Sequence, residues 1–534
     1  MASDKYYLGF DFSTQQIKAI AVNEKLQVII EENVKFDTDL SEFGTVNGAH
    51  IHCDKITVTS PTAMWVKALD ILLNKLKESG FDFSKVVALS GDGQQHGSVY
   101  WKAGAYSVLK NLHPERLLYE QLKDSFSVSA SPIWMDASTG DQIRTLETAV
   151  GGPMELAKLT GSRGFERYTG VQIMKVAQTN PQGYQQTERI SLVSSFAACL
   201  FLGDYAPIDY SDGSGMNLLD INTKAWSTKC LEACGEGLAE KLGEPVPSNT
   251  VLGSISQYMV ERYGFSPDCR VVAFTGDNPA SLAGLAPSEG DVLVSLGSSD
   301  TVFLWIPRAT PNMDGVIFVN PLDQFTYMGL VCFATGSLTR AGVMERCAGA
   351  SWDTFNSLLQ KTEPGNQGNI GIFFDVTEIQ PVVMGTFRFN ENNEMVDSYP
   401  SEVEVRAVLE SQFLAHLMYA KACGLTISPQ SRVIATGGAS ANKAILQVIA
   451  DVFNAAVYVT DVPNSAALGG CYRALYALQP EGTSFSAVIT PPPERQPVCV
   501  CQPSVGSQQV YSKMLDRYKM LEERVTKLFM SHNK

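Results

Sequence analysis

Asp277 is a carboxylate at the end of an apolar segment, a position where catalytic groups are often found. It follows VVAFT in the segment TGDNPAS, and Pro279 then favours the first turn of a helix. The C-terminal end of a strand beside a helix N-terminus is a frequent active-site position in α/β sheets. We therefore predict that Asn278 caps the helix and leaves Asp277 free for chemistry. The alternative is that both residues serve only as helix caps.

Two further turns are rich in small and hydroxyl residues and could hold phosphate. In LGFDFSTQQ, Asp11 ends an apolar segment and is followed by Ser13 and Thr14. Free backbone amides in such a turn can cradle phosphate oxygens, and the carboxylate can hold Mg²⁺ through water. In LGSSDT, Gly297 and Ser298 offer a second clamp on the same phosphates. Each turn alone could equally be an ordinary hairpin.

A pair of glycines, Gly437 and Gly438, lies between a predicted strand and a helix that begins near Asn442, in ATGGASANK. Backbone without Cβ atoms allows a base or ribose to lie close, which favours a nucleotide site. The alternative is a βα turn that happens to use two glycines.

The segment LSGDGQQHG contains glycines but misses the dinucleotide-binding spacing, since it reads G-x-G-x-x-x-G. We interpret His96 in this segment as a polar contact to a substrate, or otherwise as a loop histidine whose hydrogen bonds are satisfied locally. The segment HIHCD could suggest zinc, but no second pair of ligands accompanies it.

Composition and charge limit the class of protein. The 534 residues are 45% hydrophobic and 18% charged, with a formal net charge of −15. This excess of acidic residues argues against nucleic-acid or anionic-membrane partners. The eleven cysteines follow no disulfide pattern, and the N-terminus has no signal-peptide character. We therefore expect a cytoplasmic protein.

Strand-like and helix-like segments alternate along the chain, which predicts α/β architecture. The two strand–turn–strand units that contain Asp11 and Gly297 suggest two related halves. Proline-rich breaks near residues 245–255 and 490–497 then predict domains at 1–250 and 251–489, followed by a linker and a closing helix at 490–534. The apolar stripe of that helix is typical of packing.

The ordered set DFST, GQQHG, GSGMNLLD, TGDNPAS, LGSSDT and ATGGASANK resembles the FGGY family of carbohydrate kinases, from about residue 7 to about residue 480. The resemblance implies two actin-like ATPase (ribonuclease H-like) domains with the active site in the cleft between them. It implies ATP and Mg²⁺ as cofactors, and phosphoryl transfer to a sugar. GFDFSTQQIK and VAFTGDNPASLAG favour D-xylulose, phosphorylated at its 5-hydroxyl, over glycerol. Ribulose, gluconate or glycerol as substrate, or a non-catalytic ATP sensor, are the alternatives, and both monomer and homodimer stay open.

The same resemblance implies roles for individual residues. Asp277 would be the catalytic base, and Asp11 would bind phosphate and Mg²⁺. The implied sugar contacts are His96, Arg167, Asp277 and Asn278. The implied nucleotide contacts are Ser13, Thr14, Gly297, Ser298, Trp352, Gly437, Gly438 and Asn442.

Overall fold

The computed structural model describes residues 4–428 and 430–532, and its chain forms two compact units. Unit 1 is composed of Met1–Pro287, Ile317–Tyr327 and Pro463–Glu494; unit 2 is composed of Ser288–Val316, Met328–Val462 and Arg495–Lys534.

The main sheet of unit 1 has seven strands. Tyr6–Phe12 pairs antiparallel with Gln16–Asn23, which pairs antiparallel with Val28–Lys35. On its other side, Tyr6–Phe12 runs parallel to Val86–Gly93. The strands that complete this sheet beyond Val86–Gly93 are Arg270–Val272, Thr275–Gly276 and Val251–Ser254. The apolar segment that contains Asp11 forms a strand as predicted, whereas VVAFT before Asp277 is divided between two short strands, Arg270–Val272 and Thr275–Gly276.

Four helices of unit 1 pack against this sheet. Their shared feature is a small or apolar face, as in Asp277–Gly284 and Ser465–Tyr476. These two helices touch backbone to backbone, because a Cβ on Gly284 would lie 1.9 Å from the Ser465 carbonyl oxygen. The helices are Thr62–Glu78, Val193–Leu202, Asp277–Gly284 and Ser465–Tyr476.

The division into units differs from the predicted boundary at residue 250. Residues 251–287 lie in unit 1, because Arg270–Val272 pairs with the central strand Val86–Gly93. The helix Ser465–Tyr476 also lies in unit 1, where it packs on Tyr6–Phe12. Long-range strand pairing and helix packing, which local composition does not record, therefore decide the division.

A second layer of unit 1 carries loops that approach the carboxyl edge of the main sheet. Its small sheet joins Ser98–Lys102 to Thr187–Leu192 and Phe126–Val128. Its main helices are Gly140–Val150, Pro153–Thr160 and Thr169–Thr179.

The main sheet of unit 2 repeats the strand–turn–strand arrangement of unit 1. Val292–Leu296 pairs antiparallel with Asp300–Ile306 and parallel with Arg432–Thr436. Ala456–Val459 and then Val498–Cys501 extend the sheet on one side, and Tyr327–Phe333 extends it on the other.

The helices of unit 2 surround this sheet. The closing helix is Ser507–His532, and its predicted stripe packs as expected at Tyr511, Met514, Tyr518, Leu521 and Val525, while Leu528 is exposed. The remaining main helices are Ser337–Ala348, Trp352–Leu359, Ser401–Ala422 and Lys443–Phe453.

Candidate active site

Three aspartates meet at the carboxyl edge of the unit 1 sheet. In the parallel pairing of Tyr6–Phe12 with Val86–Gly93, Asp11 lies opposite Asp92. Asp92 in turn lies opposite Thr275, two residues before Asp277. Neighbouring parallel strands that end together therefore place all three carboxylates in one group.

Burial, together with the charge of neighbouring carboxylates for Asp92 and Asp277, raises the pKa values of these three residues. Burial raises the pKa of Asp11. Burial and the nearby charges of Asp11 and Asp277 raise the pKa of Asp92 well above its ordinary value. Loss of solvent and the charge of Asp11 raise the pKa of Asp277 to about 7. Both carboxylate oxygens of Asp92 are buried and accept no hydrogen bond from the described residues.

Two more aspartates and one arginine lie behind this group. Asp212 accepts a hydrogen bond from Ser194 Oγ at 2.6 Å, and Asp209 accepts one from Thr275 Oγ1 at 2.9 Å. Arg473, in the helix Ser465–Tyr476, is 1% exposed. Its positive charge interacts with the carboxylates of Asp92, Asp209 and Asp212. One guanidinium thus offsets only part of the acidic charge in this region.

Arg473 also donates hydrogen bonds to backbone carbonyl oxygens in three segments of the chain. Its Nη2 atom donates to the carbonyl oxygens of Ser248 at 2.6 Å and Ala273 at 2.7 Å. Its Nη1 atom donates to the Gly91 carbonyl oxygen at 3.2 Å. The arginine therefore connects the strand that carries Asp92 to the backbone at Ser248 and Ala273.

Asp277 is the half-buried member of the group, and its carboxylate is held by backbone amides. The Asn278 amide donates to Asp277 Oδ1 at 2.8 Å, and the Gln95 amide also donates to this carboxylate. Asn278 Nδ2 donates to Gln95 Oε1 at 2.7 Å. The predicted cap is wrong, since the N-cap residue is Gly276 and no side chain caps the helix. The side-chain amide of Asn278 instead donates hydrogen bonds to Asp277 Oδ1 and Gln95 Oε1.

His96 is half-buried and tightly constrained. Its backbone has a φ of 68°, and its ring stacks on Tyr168 with a centroid distance of 4.4 Å. Nδ1 lies 2.8 Å from the Gly215 carbonyl oxygen, so Nδ1 carries the proton and donates it. Burial and the neighbouring Arg167 lower the pKa of His96 to about 3. The ring is therefore neutral, and Nε2 is an acceptor.

The first predicted phosphate turn adjoins Asp11. Ser13 Oγ donates to Asp11 Oδ1. Thr14 Oγ1 accepts a hydrogen bond from the indole of Trp134 at 2.8 Å. The turn therefore lies beside the carboxylate group, as the sequence pattern predicts.

The second predicted phosphate turn lies in unit 2, between Val292–Leu296 and Asp300–Ile306. We call Gly297–Asp300 the second phosphate loop. Ser298 is exposed, whereas Asp300 is fully buried and binds Arg340. The Asp300 carboxylate thus points into unit 2 and does not line the open side of the loop.

A pocket of about 610 Å³ in unit 2 brings together three of the predicted nucleotide residues. Trp352, Gly438 and Asn442 line it, and Trp352 is 39% exposed. Asn442 caps the helix Lys443–Phe453 through the Ala444 amide and donates to Asn356 Oδ1 at 3.0 Å. The pocket has an apolar lining with a few polar groups, as small-molecule sites usually have.

Sequence reasoning missed Asp92, Asp209, Asp212 and Arg473. Asp92 carried a usable signal, because it ends an apolar segment in the same way as Asp11. Arg473 is a single charge in the apolar helix Ser465–Tyr476, and only the packing shows what it faces.

The weak zinc interpretation of HIHCD finds no support. Among residues 4–428 and 430–532 no group of three or more His, Cys, Asp or Glu side chains has metal-binding geometry. No helix in this part of the chain combines the length and apolar character needed to cross a bilayer.

Family models match both halves of the chain. Residues 124–284 match the N-terminal domain, and residues 292–478 match the C-terminal domain, of the FGGY family of carbohydrate kinases. A solved xylulose kinase from Rhodospirillum rubrum has the same fold, with a TM-score of 0.80 and 15% sequence identity over 98% of this chain and all of that one. The predicted fold class of two actin-like ATPase domains is thus confirmed, and the chain belongs to the FGGY family of carbohydrate kinases.

Two curated relatives are more similar to this chain in sequence than the Rhodospirillum rubrum protein is. Xylulose kinase of Rattus norvegicus is 56% identical over 97% of this chain and 96% of its own length. Xylulose kinase 2 of Arabidopsis thaliana is 47% identical over 89% of this chain and 87% of its own length.

Proposed function

We propose that this protein transfers the γ-phosphoryl group of ATP to the 5-hydroxyl of D-xylulose. The bond from the γ-phosphorus to its bridging oxygen breaks, the bond to the sugar oxygen forms, and ADP and D-xylulose 5-phosphate are released. The hydroxyl proton passes to Asp277. Transfer of this kind depends mainly on positioning and charge neutralisation.

The observation that carries the chemistry is the environment of Asp277. Its carboxylate is half-buried, its pKa is about 7, and it lies with Asn278 and Gln95 at the end of the sheet. A base works best when its pKa lies near the working pH. Its raised pKa therefore suits it to accept the proton of a sugar hydroxyl.

Sugar contacts are assigned to the residues around this base. Neutral His96 would accept a hydrogen bond from a sugar hydroxyl at Nε2, and Arg167 and Asn278 would donate to sugar oxygens. The choice of D-xylulose rests on the two relatives described as xylulose kinases.

ATP would be held by the pocket around Trp352, Gly437, Gly438 and Asn442. In unit 2, the amides and hydroxyls of Gly297 and Ser298 would bind its phosphates, and Ser13 and Thr14 are the residues of unit 1 that we assign to phosphate binding. The adenine ring would lie on the apolar lining of the pocket.

Asp11 and Asp92 suit a hydrated divalent cation. The two residues are opposite each other on neighbouring strands. The carboxylate oxygens of Asp92 have no hydrogen-bond donor among the described residues. Mg²⁺ commonly uses one or two carboxylates together with water and substrate phosphates. When bound, such an ion neutralises charge on the phosphates. Asp11 and Asp92 would hold it in place.

The direct test is ADP release from MgATP with a panel of D-xylulose, D-ribulose, gluconate and glycerol, with phosphorylated products identified by ³¹P NMR. We expect D-xylulose to give the highest kcat/KM and a 5-phosphate product. A higher kcat/KM with another acceptor would reassign the substrate. Absence of sugar-dependent ADP release would favour a non-catalytic ATP-binding role.

A further inference from the structure

The second phosphate loop has two exposed residues followed by a fully buried acid. Ser298 and Ser299 face solvent, while Asp300 is 0% exposed. A turn that presents amides to phosphate must keep a fixed backbone, because hydrogen-bond energy falls steeply with misalignment. The buried carboxylate is therefore placed to anchor the loop.

Arg340 is the fourth residue of the helix Ser337–Ala348. Its guanidinium forms a bidentate ion pair with this carboxylate. Nη1 lies 2.6 Å from Asp300 Oδ2 and Nη2 lies 2.9 Å from Asp300 Oδ1. Both side chains are completely buried. Bidentate arginine–carboxylate pairs fix orientation as well as distance.

Arg340 is itself fixed by two further groups. Nη1 donates to Gln412 Oε1 at 2.8 Å, and Nη2 donates to Ser337 Oγ at 3.0 Å. Gln412 belongs to the helix Ser401–Ala422, so the guanidinium links this helix to the loop. The position of Asp300 is thus determined by the rigid part of unit 2.

The start of the helix Ser337–Ala348 also touches the loop backbone. The Ser337 amide donates to the Gly297 carbonyl oxygen at 2.9 Å. A Cβ on Gly336 would lie 2.7 Å from the Ser298 carbonyl oxygen, so only glycine permits this approach. Both ends of the loop are therefore held by the same helix start.

The other ionisable groups around Asp300 do not replace Arg340. His416 Nε2 lies 3.6 Å from Asp300 Oδ2, but burial and Arg340 lower the pKa of His416 to about 3, so it is neutral. Glu378 accepts hydrogen bonds from the amides of Ala334 and Thr335. The guanidinium of Arg340 is the positive charge that faces Asp300.

We propose that Arg340 is a positioning residue for nucleotide phosphate, acting through Asp300 on the backbone of the second phosphate loop. This inference rests on the proposed function only in requiring that the loop binds the phosphates of ATP. Arg340 also lines the 610 Å³ pocket, but its side chain is completely buried and its guanidinium binds the Asp300 carboxylate, so it would act on phosphate through the loop backbone.

The test separates positioning from simple stability. Removing one partner leaves an uncompensated buried charge, so Arg340→Gln alone is expected to unfold more easily. The double variant Asp300→Asn with Arg340→Gln removes both charges and should be more stable to heat than Arg340→Gln alone. It still lacks the bidentate, charge-assisted hydrogen bonds between residues 300 and 340. Affinity is measured by calorimetry for AMP-PNP with Mg²⁺ and, separately, for adenosine, which has no phosphate.

We expect the double variant to bind AMP-PNP about tenfold to a hundredfold more weakly than the wild type, the effect of losing one charge-assisted hydrogen bond, and to bind adenosine unchanged. Unchanged AMP-PNP affinity, or an equal loss for both ligands, would overturn the proposal. Failure of the wild type to bind AMP-PNP would instead refute the nucleotide site of the proposed function.

A matched control lies in the same unit. Arg406 and Glu410 form another buried pair at 3.3 Å, and Arg406 donates to the Leu359 and Thr362 carbonyl oxygens. The double variant Arg406→Gln with Glu410→Gln should alter thermal stability while both ligand affinities stay unchanged. A parallel loss of AMP-PNP affinity in this control would mean that general loosening of unit 2 explains the effect.

Discussion

Asp277 and His96, which we both assign to the proposed sugar site, have opposite shifts in pKa. Solvent loss and a nearby negative charge raise the pKa of Asp277 to about 7, whereas burial and Arg167 lower that of His96 to about 3. Both shifts favour the neutral form of the residue, as expected where solvent is excluded. At neutral pH the site therefore combines a weakly acidic carboxyl with a neutral hydrogen-bond acceptor.

Replacing the proposed base tests its role directly. Asp277→Ala is expected to lower kcat by about 10²- to 10⁴-fold, the usual contribution of a general base, while AMP-PNP affinity and thermal stability are retained. Steady-state kinetics and calorimetry check both parts. Asp268→Ala, at an exposed aspartate of unit 1, is the matched control. Near-normal turnover by Asp277→Ala would show that another group takes the proton.

The neutral state of His96 predicts how sugar binding depends on pH. Because its folded pKa is about 3, His96 does not change protonation between pH 5 and pH 9. The Kd for the sugar, measured by calorimetry over this range, should show no inflection near pH 6.5, the ordinary histidine value, that is due to His96, and any inflection near pH 7 from Asp277 should persist in His96→Asn. An inflection there that disappears in His96→Asn would show that His96 titrates and that the acceptor assignment is wrong.

At the scale of elements, the closing helix Ser507–His532 is attached to unit 2 through buried polar groups. Tyr419 donates a hydrogen bond to Glu522 at 2.7 Å, and Tyr511 donates one to Glu410 at 2.7 Å. Burial raises the pKa of Glu522 to about 8. Glu522 is therefore protonated in the folded protein at neutral pH, so the helix docks without a buried negative charge there.

This shift has a consequence for stability against pH. Between the ordinary glutamate pKa of 4.5 and the folded value of about 8, the folded state holds one more proton than the unfolded state. Stability should therefore fall as pH rises through this window and level off above it. We expect Glu522→Gln to reduce this fall, with a Tm higher than the wild type by several degrees at pH 9.

Thermal melts from pH 4.5 to pH 9 measure this effect. Glu523→Gln, at the exposed neighbour, should leave the profile of the wild type unchanged. Identical profiles for Glu522→Gln and the wild type would mean that Glu522 is not buried as a neutral acid.

At the scale of the whole molecule, unit 1 and unit 2 are each composed of three separate segments of the chain. The helix Ser465–Tyr476 comes late in the sequence but packs on Tyr6–Phe12 and on Asp277–Gly284. It also carries Arg473, which donates hydrogen bonds to backbone carbonyl oxygens of unit 1. Unit 1 therefore depends on residues from both ends of the chain.

Hydrogen exchange in increasing denaturant tests this division. Amides that unfold together lose protection together. Amides of Ser465–Tyr476 should lose protection at the same denaturant concentration as those of Tyr6–Phe12. Amides of the nearby strand Ala456–Val459 should instead follow Lys443–Phe453 of unit 2. If Ser465–Tyr476 lost protection together with Ala456–Val459, the assignment of this helix to unit 1 would be wrong.

The sequence by itself determined the local parts of this protein. Apolar runs that end in Asp11 and Asp277, and turns built around Gly297 and Gly437, are local patterns, because strand alternation and turn formation depend on near neighbours. The ordered set of motifs also determined the family and the fold class.

The tertiary structure decided the features that depend on distant residues. The pairing of Asp92 with Asp11 follows from the register of parallel strands, and the positive charge that faces Asp92 comes from Arg473, almost four hundred positions later. The inward turn of Asp300 follows from its ion pair with Arg340. Burial and electrostatic fields are sums over all neighbours in space, so no local pattern in the sequence records them.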